Sequence, residues 1–457
     1  MRDKLPDPNT DTARARLSTR AVVRHGLLAF VDQAIVSVAA FLPMMLVGKV
    51  SREELGVFSL AISSYWLVAG LGNALVWTPY TSRAARMSDQ TRIRFRGDSA
   101  GLNLAISLGL AAVSAGISVS AQWAFPDEKW IGLFFLTFGL LVVSLNCREY
   151  VRRVYLADLR PDKLLALDIP ISVAGILIIG MAFCFGMLNA QVAMFVTALV
   201  AVPGLATSYQ HLVAGRTSLQ KIGRLLVSNW KFSKWLLIVA VAWLASDGFI
   251  RWMLVGLKGK EAVGEFAGAF LIVSLVNPII IAFTSFARSI ASHKLAISSS
   301  LDLTWDVFFV LRWLVPITSL GFLALCLVGN PLLNYLFGYE YGNQPLVVLL
   351  AAAVCLEAIT VPLEATFVAL EKGQSLTLIA VSRFVFSAGI ACWTVPQYGV
   401  MGVAVAMFGR SILVLIAYSG VFFQMHRTLV AENCPPESAA TPVGQPEEDL
   451  CATGSPP

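Results

Sequence analysis

Apolar residues in this chain come in blocks of eighteen or more, broken by short polar turns, from residue 25 to residue 424. Twelve blocks cover 25–48, 56–80, 99–122, 130–147, 164–186, 192–213, 235–257, 265–287, 307–329, 345–370, 376–396 and 400–424. A helix needs about 20 apolar residues to cross a ~30 Å hydrocarbon core, so each block suits a membrane span. Barrel strands would alternate in segments of about 10 residues instead. The pattern predicts an all-α polytopic membrane protein with twelve transmembrane helices.

The blocks also repeat. Met45-Leu46-Val47-Gly48, Glu53, Gly56, Phe58 and Ala61 recur as Met253-Leu254-Val255-Gly256, Glu261, Gly264, Phe266 and Ala269, at a constant offset of 208 residues. In both copies an apolar helix ends, a short polar turn with basic residues follows, and a glycine-containing apolar helix begins. The offset carries the first hairpin onto the seventh and eighth helices, as a duplication of six helices requires. Copies separated by an even number of spans share orientation, so a pseudo-two-fold axis along the membrane normal should relate them. The predicted organisation is a cytoplasmic N-terminal segment 1–24, a six-helix lobe 25–213, an inter-lobe linker 214–234, a second six-helix lobe 235–425 and a cytoplasmic tail 426–457. Duplicated halves mark many alternating-access transporters, whose site lies between the halves.

Composition excludes a soluble globular protein: 57% of residues are hydrophobic, 14% are charged, and mean hydropathy is +0.73. Lysine and arginine set the orientation. One set of connections, both termini included, carries 25 of the 34 basic residues, and the opposite set carries five. The positive-inside rule makes both termini cytoplasmic. The net charge of +6 then belongs to loops beside anionic lipid, and nucleic acid is not an expected partner. The first apolar run is too long for a signal-peptide core and is read as a retained helix. Basic connections at Arg83–Arg96, Arg148–Arg153 and Lys221–Trp235 should anchor helix ends at the headgroups; the sharper reading is a landing surface for an anionic lipid headgroup. Five of the seven cysteines fall in or at the end of spans, and Cys434 and Cys451 lie in the tail, with no CxxC, so no disulfide or metal framework is expected. The tail from about residue 428, rich in Pro, Glu, Ser and Thr, reads as disordered.

Charges inside the spans are the candidate chemistry, because each is costly in hydrocarbon unless paired or wetted. Asp247 and Arg251 lie at i,i+4 on the seventh helix, either neutralising one another or facing a wet cavity. Arg410 is about ten residues from either end of the last helix, too central to snorkel, and should face a polar cavity with Glu357 or Asp247 as its nearest charge. Glu357 and Glu364 share a stripe of the tenth helix and are candidates to balance Arg410 or to bind a coupling ion. Arg383 is a further cationic candidate. Asp32, near the cytoplasmic end of the first helix, is a coupling candidate or a partner of Arg24, Arg83 or Arg86.

No Walker A sequence, strand-to-helix GxGxxG or HExxH is present, and the predicted outer loops are too short to build an enzyme domain. No cofactor is expected, and a non-enzyme is predicted. Four segments carry a family resemblance. Asp247 through Phe266 resembles the seventh-to-eighth helix junction of polysaccharide flippases, and Gly48 through Ser59 its first-hairpin counterpart. Asn330 through Tyr341 is similar to their "Leu-Phe-Gly-x-Glu-Tyr" loop, and Pro396 through Ala404 to the "Tyr-Gly-x-x-Gly-Ala-Ala" start of the twelfth helix. The chain thus resembles the polysaccharide transporter branch (Wzx-type O-antigen flippases) of the multidrug/oligosaccharidyl-lipid/polysaccharide exporter superfamily. The resemblance implies a bacterial inner-membrane flippase for an undecaprenyl-pyrophosphate-linked oligosaccharide, with Arg251 and Arg410 offsetting the pyrophosphate. It implies membrane lipids, a polysaccharide polymerase and glycosyltransferases as partners. The alternatives are a cation-coupled multidrug antiporter of the same superfamily, favouring in-span carboxylates and aromatics, and a non-transporting scaffold of a polysaccharide assembly complex.

Overall fold

A computed structural model describes residues 19–84, 87–158, 160–277, 300–338, 341, 343–369 and 373–433. The polar segment before residue 19, the second half of the predicted 265–287 span and the tail beyond 433 lie outside the described residues. The regular structure within them is helical, with no strand. The helices are α1 Thr19–Val50, α2 Arg52–Ala84, α3 Asp89–Ala124, α4 Lys129–Ala157, α5 Pro161–Cys184 and α6 Ala190–Ala214. The second half begins with one run, Leu219–Val273, that divides into α7 (219–258) and α8 (from 260). It continues with α9 Ser300–Phe337, α10 Gln344–Ala369, α11 Gly373–Tyr398 and α12 Val400–Asn433.

Eleven of these runs are long and apolar enough to cross a membrane, one of them the 44-residue stretch Ser233–Val276 that holds the predicted span 235–257 and the first half of the predicted span 265–287. The break within it is Gly259, at φ 84° and ψ 178°. That conformation is open to glycine and strained for any residue with a Cβ. With α7 and α8 counted apart, the described helices number twelve.

Polar side chains start several helices. Ser51 opens α2 by accepting from Glu54 N at 3.1 Å, Asn189 opens α6 by accepting from Val192 N at 2.8 Å, and Asn343 accepts from Leu346 N at the head of α10. The helices outrun the apolar blocks. The basic connections are largely extensions of α2, α3, α4 and α7, and several of their charges are used within the protein. Arg96 pairs with Asp158 at 2.5 Å, Arg148 with Asp168 at 2.7 Å, and Arg83 donates to Asn229 at 3.0 Å. The landing-surface expectation is narrowed accordingly to exposed residues such as Arg94 and Arg224.

Contacts between the two halves are carried mainly by α2, which runs antiparallel along α7 and meets the start of α8. A π-turn at Asn73–Trp77 interrupts α2, and the side-chain amide of Asn229 donates to the Leu75 carbonyl there at 2.9 Å. Further along, Trp252 donates to Ser64 Oγ at 3.0 Å. At the far end the repeat meets itself. A Cβ on Gly56 would lie 2.2 Å from the Lys260 carbonyl oxygen, and one on Gly264 would lie 1.9 Å from that of Arg52. Gly56 and Gly264 are repeat equivalents, as are Arg52 and Lys260, so the contact is reciprocal, which a local two-fold axis demands. Arg52 sits over the Tyr341 ring at 5.1 Å and Lys260 over Trp130 at 5.4 Å, each cation reaching an aromatic of the opposite half. Tyr341 also donates to the Gly48 carbonyl at 3.1 Å. This crossing lies on the face predicted to be outside.

Candidate functional site

A cavity of about 420 Å³ opens among α7, α8, α10, α11 and α12, with α2 supplying the wall from the first half. The sequence reading put the site between the halves; this cavity lies largely within the second. Six of the seven candidate residues line it: Asp247, Arg251, Glu357, Glu364, Arg383 and Arg410.

Helical spacing and facing apolar stripes bring these groups together. Asp247 and Arg251 share a face of α7, Glu357 and Glu364 a face of α10, and α11 and α12 each point one arginine inward. Arg410 is the hub. Its Nη1 donates to Asp247 Oδ1 and, at 3.3 Å, to Ser246 Oγ; its Nη2 donates to Glu357 Oε1 at 2.9 Å. The residue is 1% exposed, and Nε is buried without a hydrogen-bond partner. Glu357 Oε1 also accepts from Ser411 Oγ at 3.3 Å and lies 3.0 Å from Arg383 Nη2, an ion contact outside hydrogen-bond alignment. Arg383 reaches Ser246 Oγ through Nε at 3.4 Å and lies over the Trp243 ring at 4.2 Å. Two carboxylates thus hold two guanidiniums across four helices. One-sided loss of such a buried pair is costly because it strands a charge.

Arg251 stands apart. Asp247, four residues earlier, is turned to Arg410, so the intrahelical pair allowed by the sequence is absent. The Arg251 guanidinium lies over Phe266 and Phe270, 5.3 and 5.2 Å from the ring centroids, and no carboxylate pairs with it among the described residues. Ring faces stabilise a cation but leave its N–H donors unused. Glu364 is the remaining carboxylate. With Asp247 and Glu357 level at Arg410, Arg251 is about 6 Å further along one direction and Glu364 about 10 Å along the other, at 1.5 Å per residue. The two sit toward opposite ends of the cavity.

Asp32 lies elsewhere. It is 2% exposed and pairs with Arg152 of α4 at 2.8 Å rather than with Arg83; the side chain of Arg24 and all of Arg86, the other expected partners, lie outside the described residues. Arg152 also holds Asp168 at 2.6 Å and Glu149 at 2.9 Å, and Asp32 Oδ1 is buried without a hydrogen-bond partner. Asp168, fully buried in α5, was missed, although it met the same criterion of a carboxylate inside an apolar span. The aromatic lining of Trp66, Trp243, Phe270 and Tyr418 was missed too, since aromatics are common in every span.

No family model matches the chain, and no curated relative matches it. Solved structures do. An inward-facing conformation of a multidrug resistance MATE family transporter of the MOP superfamily superposes with a TM-score of 0.71 at 14% identity, covering 87% of this chain and 96% of that one. An outward-facing conformation of a MATE family transporter gives 0.63 at 14% identity, covering 90% and 96%. A MOP superfamily transporter from Pyrococcus furiosus Vc1, described as having a binding pocket of reverse polarity that suggests a different function, gives 0.65 at 15% identity, covering 90% and 95%. The chain therefore has the twelve-helix fold of these transporters.

Proposed function

We propose that this protein is an alternating-access transporter of the bacterial inner membrane that flips a lipid-linked, phosphate-bearing oligosaccharide of the undecaprenyl-pyrophosphate type from the cytoplasmic to the outer leaflet. The observation that carries this is Arg251, a guanidinium in no direct ion pair among the described residues, inside a cavity at membrane depth. A cation so placed is expensive unless function uses it, and a phosphate offers the matching charge and acceptors. The sealed crossing at Gly56 and Gly264 supports an inward-facing state, as does the higher TM-score to the inward-facing than to the outward-facing structure. A proton or sodium gradient, or lipid turnover, would drive the cycle, with Asp32 and its Arg152 pair as the coupling candidate in the first half. Both termini are placed in the cytoplasm, and a polymerase and glycosyltransferases of the same assembly pathway are the proposed partners.

A second reading has its own support. The cavity has the size of a drug-sized ligand site, and Trp66, Trp243, Tyr418 and Glu364 are the groups that would receive an organic cation. That favours a cation-coupled multidrug antiporter, against which Arg251 acts as a repulsive charge. Deletion of the gene, followed by leaflet-resolved analysis of lipid-linked saccharides, separates the two. Accumulation in the cytoplasmic leaflet, restored by the parent gene but not by Arg251→Met at equal abundance, is the expected result. Unchanged saccharide pools with raised sensitivity to cationic drugs would establish the antiporter instead.

A further inference from the structure

We propose that Arg410 is a positioning residue: by holding the Asp247 carboxylate it keeps Arg251 out of a direct ion pair, and so maintains the guanidinium that receives an anion. The inference rests on the anionic-substrate reading above and specifies how the site is kept charged.

On helix spacing alone Asp247 could pair with Arg251. The two are four residues apart on α7, with the acid nearer the helix N-terminus, which is the favoured order for an intrahelical pair. In hydrocarbon that pair would neutralise both groups. The structure shows the carboxylate diverted to Arg410 of α12. Arg410 cannot easily turn away, because Glu357 and Ser246 hold the same guanidinium from two other helices. At 1% exposure, its Nη groups engaged and its Nε buried, Arg410 is badly placed to meet a ligand itself. Arg251 has the complementary environment: partly exposed, lining the cavity, and supported by Phe266 and Phe270, which leave its donors unused.

The charges fit this division. Asp247, Glu357, Arg383 and Arg410 form a balanced set of two carboxylates and two guanidiniums. Loss of Arg410 frees Asp247 at the distance from which it can pair with Arg251, and Glu357 retains Arg383. The variant therefore loses the unpaired guanidinium without losing Arg251. Removing the freed carboxylate as well should restore it. A residue that touched the ligand, or merely held the fold, would show no such recovery.

The test uses the full-length protein in lipid nanodiscs, with farnesyl pyrophosphate as probe and farnesol as uncharged control. Arg251→Met should weaken pyrophosphate binding about tenfold or more. Arg410→Met should weaken it similarly, and Asp247→Asn/Arg410→Met should recover most of the parent affinity. Phenylglyoxal labelling of Arg251, read by peptide mass spectrometry without any ligand, should be high in the parent, low in Arg410→Met and high again in the double variant. Parent-like binding and labelling in Arg410→Met overturns the proposal, as does a folded double variant that recovers neither. Parent-like binding in Arg251→Met, or a parent that does not distinguish the pyrophosphate from farnesol, overturns the anionic-substrate reading, while the labelling series still decides whether Arg410 positions Asp247.

Discussion

At the residue scale, Arg410 and Arg251 show how two similar side chains in one cavity meet different surroundings. Arg410 is boxed by Asp247, Glu357 and Ser246, whereas Arg251 rests on two phenyl rings. Planar guanidiniums suit both settings, since one fork can take two acceptors and can also stack on a ring. Glu357 is the weak point of the network, because Arg383 and Arg410 share its Oε1. Glu357→Gln leaves those two cations with Asp247 as their nearest acid. Its cost should be about 3 kcal/mol, the low end for breaking a buried pair, because the Glu357 side chain is 23% exposed. A lowered thermal midpoint in detergent, partly restored by Arg383→Met in the same background, is the expected result. An unchanged midpoint would show that solvent in the cavity already screens the pair.

At the element scale, the crossing of α2 and α8 is where sequence identity and geometry agree most closely. Two glycines related by the repeat allow two backbones to touch, and each would place a Cβ within 2.2 Å of the opposing carbonyl. Gly56→Ala or Gly264→Ala should therefore force the outer ends of the halves apart and shift the population toward an outward-open state. A cysteine at Glu53 or Glu261 should then react faster with a membrane-impermeant maleimide, and equal rates in parent and variants would deny the crossing a gating role. Gly259 imposes a different constraint, its positive φ bending α7 into α8. Gly259→Ala should destabilise the fold by about 1–3 kcal/mol, the range for strained backbone. A thermal midpoint equal to the parent's would show that the turn can relax.

At the scale of the whole molecule, α2 is the shared wall: it supplies the inter-half seam along α7 and the first-half lining of the cavity through Ser63 and Trp66. The proposed alternating-access cycle requires this seam to open from one end while it stays closed at the other. By the positive-inside rule, the asymmetry of basic residues predicts which end faces the cytoplasm. Reporter fusions within 187–191 and 331–344 should report outside, and one after residue 430 should report inside. An outside signal at 430 would reverse the proposed direction of transport.

Span number, helical class and the 208-residue repeat were legible in the sequence because they follow from local rules. Lipid requires each segment to satisfy its own backbone, so apolar length alone announces a helix. In-span charge likewise announced six of the cavity-lining residues, since such groups seldom survive in hydrocarbon without a purpose. Partner choice was legible only in part: Arg410 was expected to meet Glu357 or Asp247 and meets both, but which cation holds Asp247 was left open. The i,i+4 spacing of Asp247 and Arg251 describes one helix, whereas the rotation and depth of α12 relative to α7 decide that Arg410 takes the carboxylate. The same holds for Asp32, whose partner Arg152 is 120 residues away in the chain. Those choices depend on how separate helices pack, and packing is a property of surfaces that meet only when the chain has folded.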